Sequence, residues 1–142
     1  MSYENSWYYN NEIVESDKLE VFYGFVYRIT NILNNKQYIG KKFFWSSKTR
    51  IVNKKKKRYK VESDWKKYYG SSKELVYDVE QYGNMNFRRE ILRLCKTKSE
   101  CGYFEAKYQF QNDVLLHPNE WYNGWISCRV RSSHLKHLFP ET

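Results

Sequence analysis

One segment, residues 21–41, constrains the fold of this 142-residue chain more than any other. Its first part, up to residue 30, is rich in β-branched and aromatic side chains, a composition typical of a β-strand. Two consecutive asparagines follow, which tolerate positive φ and supply turn chemistry, and residues 36–41 then have the pattern of a partner strand. The segment therefore predicts a β-hairpin that places the phenols of Tyr27 and Tyr38 side by side.

The downstream sequence predicts a short helix, a longer helix, a strand and a last long helix. Ser63 is the expected cap of the short helix, and apolar residues at helical spacing predict the longer one over residues 73–82. A third strand is expected over residues 86–94, and the last helix is expected to run from Thr97 or Ser99 to about residue 116. This order predicts an α/β (α+β) fold in which a small three-stranded, mainly antiparallel sheet is flanked by helices.

The chain is short enough for a single domain. Residues 1–20 are polar, acidic and aromatic without clear periodicity, which predicts a loose N-terminal arm. Residues 21–142 are then expected to form the domain, with a basic insert at about residues 41–62. The tail carries short apolar pieces, so we expect Trp121, Trp125 and Ile126 to dock on the body.

The positive charge of the chain is concentrated in one region. The net charge is +9, and residues 41–69 alone hold twelve Lys and Arg against Glu62 and Asp64. A charge excess of this kind indicates a polyanionic partner, although a solvated lysine loop is the simpler alternative. Like charges in the block Lys54–Arg58 repel one another, which predicts a loop or a poorly ordered hairpin until an anion neutralises them.

The sequence also excludes several classes of protein. It contains neither a long apolar run typical of a membrane span nor the pattern of a signal peptide, so we expect a cytoplasmic protein. The three cysteines, Cys95, Cys101 and Cys128, are odd in number and lack CxxC spacing. This pattern favours reduced thiols over disulfides or a zinc site.

The hairpin carries two triplets that resemble a known family. Phe25-Val26-Tyr27 and Tyr38-Ile39-Gly40 are similar to the paired motifs of GIY-YIG nucleases. Phe25 departs from the first position of the pattern, where a glycine stands one residue earlier. The resemblance covers roughly residues 22–126. Within this range, the sequence further resembles the small phage-encoded and homing-type members.

Three downstream features extend this resemblance. Residues 69–83 are similar to the segment that leads into and through the family's second helix. Glu105, which lies 22 residues beyond Gly83, matches the metal-binding glutamate of the family. Asn123 follows Tyr122 in a pair similar to a late Tyr-Asn pair whose asparagine lies near the site.

The resemblance implies roles for these residues. Tyr27 is the expected general base, with Tyr38 assisting, and Glu105 is expected to bind one Mg²⁺, for which Mn²⁺ could substitute. A free phenol has a pKa of about 10, so it needs cations nearby to work at neutral pH. The family also requires an arginine, for which Arg50 is favoured by its spacing from Tyr38 and Arg58 is the alternative. Tyr68 is the expected partner one helical turn further on, with Tyr69 as runner-up.

The remaining cations are expected to hold DNA through its backbone, which gives affinity but little sequence information. They are Lys41, Lys42, Lys54, Lys55, Lys56, Lys57, Arg58, Arg129 and Arg131. The expected function is an Mg²⁺-dependent endonuclease acting on double-stranded DNA, in a bacterial host cell if the chain is phage-encoded. The alternatives are a non-catalytic nucleic-acid-binding module and, more distantly, an RNA- or ribosome-binding protein. One active site makes one strand break, so a double-strand break requires a homodimer or two successive nicks.

Overall fold

The computed structural model describes residues 3–141. Its regular elements are seven strands and two α-helices: β1 (Trp7–Tyr9), β2 (Glu12–Ile13), β3 (Gly24–Asn31), β4 (Gln37–Phe43), β5 (Trp45–Val52), β6 (Lys55–Glu62), α1 (Lys73–Tyr82), β7 (Phe87–Cys95) and α2 (Lys98–Gln111). Short 3₁₀ helices lie at Ser16–Glu20, Trp65–Lys67, Asn84–Asn86 and Ser132–Leu138. Within the described range, neither α-helix is both long and apolar enough to cross a membrane.

The main sheet has five strands in the order β2-β1-β7-β3-β4. All neighbouring pairs are antiparallel except β1 and β7, which are parallel. The mixed α and β class is as predicted, but the expectation of a three-stranded sheet is wrong because β1 and β2 extend it. A three-residue strand and a two-residue strand are too short to show an alternating pattern in the sequence.

Parts of the N-terminal segment are therefore not a loose arm. Trp7 is fully buried, with its ring 5.0 Å from Phe25 and 5.1 Å from Tyr27, and β1 pairs with β7. Burial of a side chain this large outweighs the polarity of the neighbouring residues. That polarity is what the sequence displays, and it led to the prediction of a loose arm. The proposed domain boundary at residue 20 stays a prediction.

The basic insert forms a regular hairpin rather than a loop. Strands β5 and β6 have eight residues each and pair only with each other. Asn53 and Lys54 connect them with φ values of 50° and 62°, the conformation of the tight turns that match strand twist. Cross-strand backbone hydrogen bonds thus offset the charge repulsion that favoured a disordered segment.

The helix ends show the chemistry typical of helix caps and stops at three of four positions. Ser72 caps α1 by accepting a hydrogen bond from the Leu75 backbone, Gly83 ends that helix, and Thr97 caps α2. The exception is the end of α2, which stops at Gln111 rather than near residue 116 because the chain turns there, with a positive φ of 50° at Asp113.

Side chains of β3 alternate between two cores, one on each face of the sheet. Phe25, Tyr27 and Ile29 pack with Trp65 and the first turn of α1. On the other face, a second cluster contains Val26, Ile39, Cys101, Val114 and Trp121. Trp121 and Ile126 dock as expected, whereas Trp125 is 80% exposed and does not.

Candidate active site

Three tyrosines meet on one face of the β3–β4 hairpin. In the strand pairing, Tyr27 lies opposite Gly40 and Tyr38 lies opposite Ile29, so both phenols project from the same face. The ring centroids of Tyr27 and Tyr38 are 6.1 Å apart, and those of Tyr27 and Tyr68 are 6.0 Å apart. The predicted hairpin with adjacent phenols is therefore present, and Tyr68 joins the pair from the loop before α1.

Two glycines allow the phenols to pack this closely. A Cβ atom on residue 40 would lie 2.5 Å from Tyr27 Oη and 2.8 Å from Tyr38 Cε2. Gly70 has a φ of +91°, and a Cβ atom there would lie 3.4 Å from each of the same two side chains. Any larger residue at position 40 must therefore displace a tyrosine.

The tyrosines differ in their access to solvent. Tyr27 is only 1% exposed, whereas Tyr38 is half-buried, and its hydroxyl lies 3.0 Å from Ser71 Oγ. Burial raises the pKa of Tyr27 well above its usual value, and Tyr68, Tyr38 and Glu105 raise it further. Burial also raises the pKa of Tyr38, although its hydrogen bond with Ser71 acts in the opposite direction. Both phenols are thus neutral at physiological pH in the protein alone.

Glu105 approaches from α2, around the outer edge of β4. Lys41 Nζ lies 3.1 Å from Glu105 Oε1, and the Lys41 backbone N–H also donates to this carboxylate. Burial raises the pKa of Glu105, while both contacts with Lys41 lower it. A mostly buried carboxylate of this kind is stabilised in its charged form by a nearby cation.

The same edge of β4 is covered by side-chain amides at Ile39. Asn123 accepts from the Ile39 backbone N–H at 3.1 Å and donates to its carbonyl at 2.8 Å, as a neighbouring strand would. Gln109 donates to the same carbonyl at 2.9 Å. Asn123 therefore holds the strand between Tyr38 and Gly40 in place, and its polar atoms are occupied by backbone.

A lysine lies over the ring of Tyr68. Lys42 Nζ lies 2.6 Å from Asp64 Oδ1 and 4.2 Å from the ring centroid of Tyr68. Arg50 and Arg58 instead lie on the exposed β5–β6 hairpin, where Arg50 stacks 5.1 Å from the ring of Tyr59. In the described chain, no hydrogen bond, ion pair or ring contact joins either arginine to Tyr27, Tyr38 or Glu105. The choice of a catalytic arginine stays a prediction.

An open groove of about 750 Å³ connects these features. Tyr38, Lys41, Ser71 and Glu105 line it together with the segment from Tyr122 to Trp125. Trp125 presents most of its indole to solvent there. A smaller cavity of about 220 Å³ is lined by Lys41 and Arg129, so Arg129 extends the positive surface beyond Lys41.

The donor set of the groove suits a hard, hydrated cation rather than a soft metal. Glu105 is its carboxylate, and no group of three or more His, Cys, Asp or Glu side chains is placed to hold a metal within residues 3–141. Mg²⁺ is commonly held by one or two carboxylates and keeps much of its water shell. Glu105 fits that cation, and the reduced cysteines, two of them buried, do not contribute to the groove.

Sequence patterns missed two residues of the site. Ser71 contacts the Tyr38 hydroxyl, although it has the features of an ordinary helix cap. Arg89 is fully buried and donates to backbone carbonyls of Asn5, Lys66 and Tyr68, which fixes the loop that carries Tyr68. Its neighbour Arg88 is exposed, and the alternation of a strand is the signal that could have separated the two.

A groove shared by Tyr38 and the helix carboxylate Glu105, with Tyr27 packed against Tyr38, is the arrangement expected of the nuclease class that the sequence resembles. The family described as "Putative endonuclease segE, GIY-YIG domain" matches residues 7–126. The chain belongs to the GIY-YIG endonuclease family.

One curated relative supports the same assignment. The chain is 32% identical over 101 residues to "Putative endonuclease segE" of Enterobacteria phage T4, an alignment that covers 71% of this chain. The aligned region covers 40% of that relative, so the chain spans less than half of its length. No solved structure matches the chain.

Proposed function

We propose that this chain is an Mg²⁺-dependent endonuclease that hydrolyses phosphodiester bonds of double-stranded DNA. The observation that carries the proposal is the meeting of Tyr38 and Glu105 in one groove, with Tyr27 directly behind Tyr38. A phosphodiester resists attack because its charge repels a nucleophile. Its cleavage therefore needs a base, positive charge on the phosphate and help for the leaving oxygen.

The tyrosine pair is the proposed source of the base. Tyr38 faces the groove and contacts the substrate or the attacking water, and Tyr27 is the buried member that the family motif designates as the base. The negative charge of Glu105 is one of the causes that raise the pKa of both phenols. Neutralisation of that charge would lower both pKa values and so ease loss of the phenol proton, which a tyrosine must release before it can act as a base.

Positive charge near the phosphate is proposed to come from Lys41, Lys42 and a divalent cation. Glu105 would hold the cation, which when bound would polarise a phosphoryl oxygen and stabilise developing negative charge. The two lysines lie on β4, the strand that carries Tyr38, and each forms an ion pair with a carboxylate. They can turn to phosphate oxygens because lysine side chains are long and flexible.

The β5–β6 hairpin is proposed to bind the duplex. Eight of its residues from Lys48 to Lys60 are basic, and Glu62 is its acidic residue. The major groove of DNA admits a two-stranded β-ribbon, and lysines on both faces of such a ribbon can reach the flanking phosphates. Arg129 and Arg131 would extend this contact on the other side of the groove.

A plasmid cleavage assay with Mg²⁺ tests the proposal. The wild-type protein should nick or cut DNA, and Glu105→Ala should lose cleavage while it keeps DNA affinity. Glu80→Ala is the matched control, because Glu80 is exposed on α1 and outside the groove. Binding without any cleavage by the wild-type protein would refute the catalytic assignment.

The second candidate is a non-catalytic nucleic-acid-binding module. The Lys41–Glu105 ion pair and the burial of Tyr27 favour it, because both are compatible with a purely structural site. This reading predicts that Glu105→Ala leaves the biological activity unchanged. A competition experiment between duplex DNA and RNA would separate either candidate from an RNA-binding role.

The cellular setting is also part of the proposal. A relative in a bacteriophage fits action inside a bacterial host, in a homing role or in competition with other DNA. Two chains acting together, or one chain acting twice, would be needed to cut both strands. Analytical ultracentrifugation of the DNA complex distinguishes these two cases.

A further inference from the structure

A second oxygen donor lies beside Glu105 in the groove. Gln109 follows Glu105 by four residues on α2, so the two side chains lie on the same face of the helix, and both line the groove. Gln109 is only 4% exposed. The helix therefore buries a polar amide where an apolar residue would pack without cost.

The orientation of the Gln109 amide is fixed by its partner. The Ile39 carbonyl can only accept a hydrogen bond, so the group that lies 2.9 Å from it must be the Nε2 amide. The other amide atom, Oε1, is consequently the acceptor, and it is buried without a hydrogen-bond partner in the described structure.

Backbone pairing does not account for this amide. Asn123 also donates to the Ile39 carbonyl, at 2.8 Å, and satisfies it without help from Gln109. An unpaired buried acceptor costs about 1–3 kcal/mol, whereas an apolar side chain of the same shape would avoid that cost. Gln109 thus carries an unpaired acceptor on a side chain that lines the groove.

We propose that Gln109 Oε1 belongs to the cation site of Glu105, as an oxygen ligand of the divalent ion or of its bound water. This inference rests on the proposed function and deepens it. Hard cations accept amide oxygens as well as carboxylates in their coordination shells. Only one of these two oxygen donors is charged. The helix therefore desolvates less negative charge when the ion is absent than it would with two carboxylates.

Titration with Mn²⁺ alone, followed by electron paramagnetic resonance, tests the site without DNA or turnover. The wild-type protein should bind the ion, Glu105→Gln should lose binding, and Gln109→Met should bind about tenfold more weakly or worse. Gln109→Glu keeps an oxygen donor and should bind at least as tightly as the wild-type protein. Gln111→Met, at an exposed position of the same helix, should leave the affinity unchanged.

Thermal unfolding separates a metal role from a packing role. If Gln109 serves the ion, Mn²⁺ should raise the unfolding temperature of the wild-type protein much more than that of Gln109→Met. Equal Mn²⁺ affinity in the wild-type protein and Gln109→Met would overturn the inference, as would an absence of binding by the wild-type protein. The nuclease proposal is judged separately, by plasmid cleavage.

Discussion

Gly40 lies opposite Tyr27 so closely that a Cβ atom on residue 40 would be 2.5 Å from the Tyr27 hydroxyl. Gly40→Ala should therefore push the phenol out of its position against Tyr38. A displacement of about 1 Å in a catalytic geometry costs about 10²-fold in rate. Plasmid cleavage under Mg²⁺ should fall by that factor, while DNA affinity stays close to that of the wild-type protein.

Gly124→Ala is the control for this substitution. Gly124 also lines the groove, yet a Cβ atom there would meet nothing within 4 Å. Its cleavage rate should stay within about twofold of the wild-type rate. Unchanged cleavage by Gly40→Ala would show that the tyrosine pair tolerates displacement and is not catalytic.

The buried phenol of Tyr27 should make stability depend on alkaline pH. Its pKa is raised in the folded protein, chiefly by burial, so above about pH 10 the unfolded chain releases a proton that the folded chain keeps. This contribution to the free energy of unfolding is therefore complete below about pH 10 and is lost as pH rises toward the folded pKa.

Tyr27→Phe isolates this effect from other groups that titrate at alkaline pH. The free energy of unfolding, measured by urea denaturation from pH 8 to about pH 11, should fall less steeply in Tyr27→Phe than in the wild-type protein. Tyr77→Phe, at an exposed position on α1, should leave the slope unchanged. Identical slopes in Tyr27→Phe and the wild-type protein would mean that the Tyr27 phenol has the same pKa in the folded and the unfolded chain.

Arg89 should be among the residues that contribute most to stability. Its guanidinium is buried, donates at 2.8 Å to the Tyr68 carbonyl and at 2.9 Å to the Lys66 carbonyl, and lies 4.6 Å from the ring of Trp7. Arg89→Met would leave these carbonyls unpaired, at a cost of about 3 kcal/mol or more. Denaturant unfolding measures the loss, and cleavage should fall as well because Tyr68 loses its support.

Arg88→Met provides the comparison on the neighbouring position. Arg88 is exposed and pairs with Glu90 at 3.2 Å, so its removal should change the free energy of unfolding by no more than about 0.5 kcal/mol. Similar losses at both positions would argue against a special role for the buried guanidinium.

Sequence patterns predicted the elements whose signals are local. The β3–β4 hairpin follows from its strand composition and asparagine turn, and α1 follows from the helical spacing of its apolar residues. Glu105 was selected by resemblance, and the structure places it in the groove with Tyr38. These features depend on residues that are close in sequence or on motif spacing.

Other features depend on contacts between distant segments, which no local pattern carries. β1 exists because Trp7 finds a site against Phe25 and Tyr27, and Arg89 is buried because carbonyls from two separate segments converge on it. The regular pairing of β5 with β6 was not predicted, because the charge of this segment favoured a disordered one. That charge indicates the partner that the hairpin would bind and not the conformation of its backbone. Arg50 and Arg58 both lie on that hairpin, and the choice of a catalytic arginine stays a prediction.

Neutralising part of the hairpin should weaken DNA binding in a salt-dependent way. Lys55, Lys56 and Lys57 are exposed on β6, and their replacement by Gln should lower affinity and reduce the slope of log affinity against log salt. Each lost phosphate contact removes about 0.9 from that slope. Fluorescence anisotropy with a duplex, at several salt concentrations, measures both quantities.

A matched triple variant controls for net charge. Lys73, Lys96 and Lys107 are exposed and lie on or beside the helices, so their replacement by Gln removes the same charge from other surfaces. This variant should keep the slope of the wild-type protein. Equal effects of the two variants would indicate a diffuse attraction to DNA and no dedicated role for the hairpin.

Trp125 should report directly on occupation of the groove. Its indole is 80% exposed, unlike that of Trp121, which lies four residues earlier and is 8% exposed. An aromatic ring in a nucleic-acid groove can stack on a base, a contact worth about 1–3 kcal/mol. Duplex or nicked DNA should therefore quench the fluorescence of the wild-type protein much more strongly than that of Trp125→Phe.

The Phe and Ala variants at this position separate stacking from packing. Trp125→Phe keeps an aromatic face and should retain most of the DNA affinity, whereas Trp125→Ala should lose about fivefold, the lower end of the stacking range. Neither variant should change the free energy of unfolding, because the exposed indole buries little surface. Full affinity in Trp125→Ala would place the DNA path elsewhere, along the hairpin and Lys42, and would leave the groove to the cation and the scissile phosphate alone.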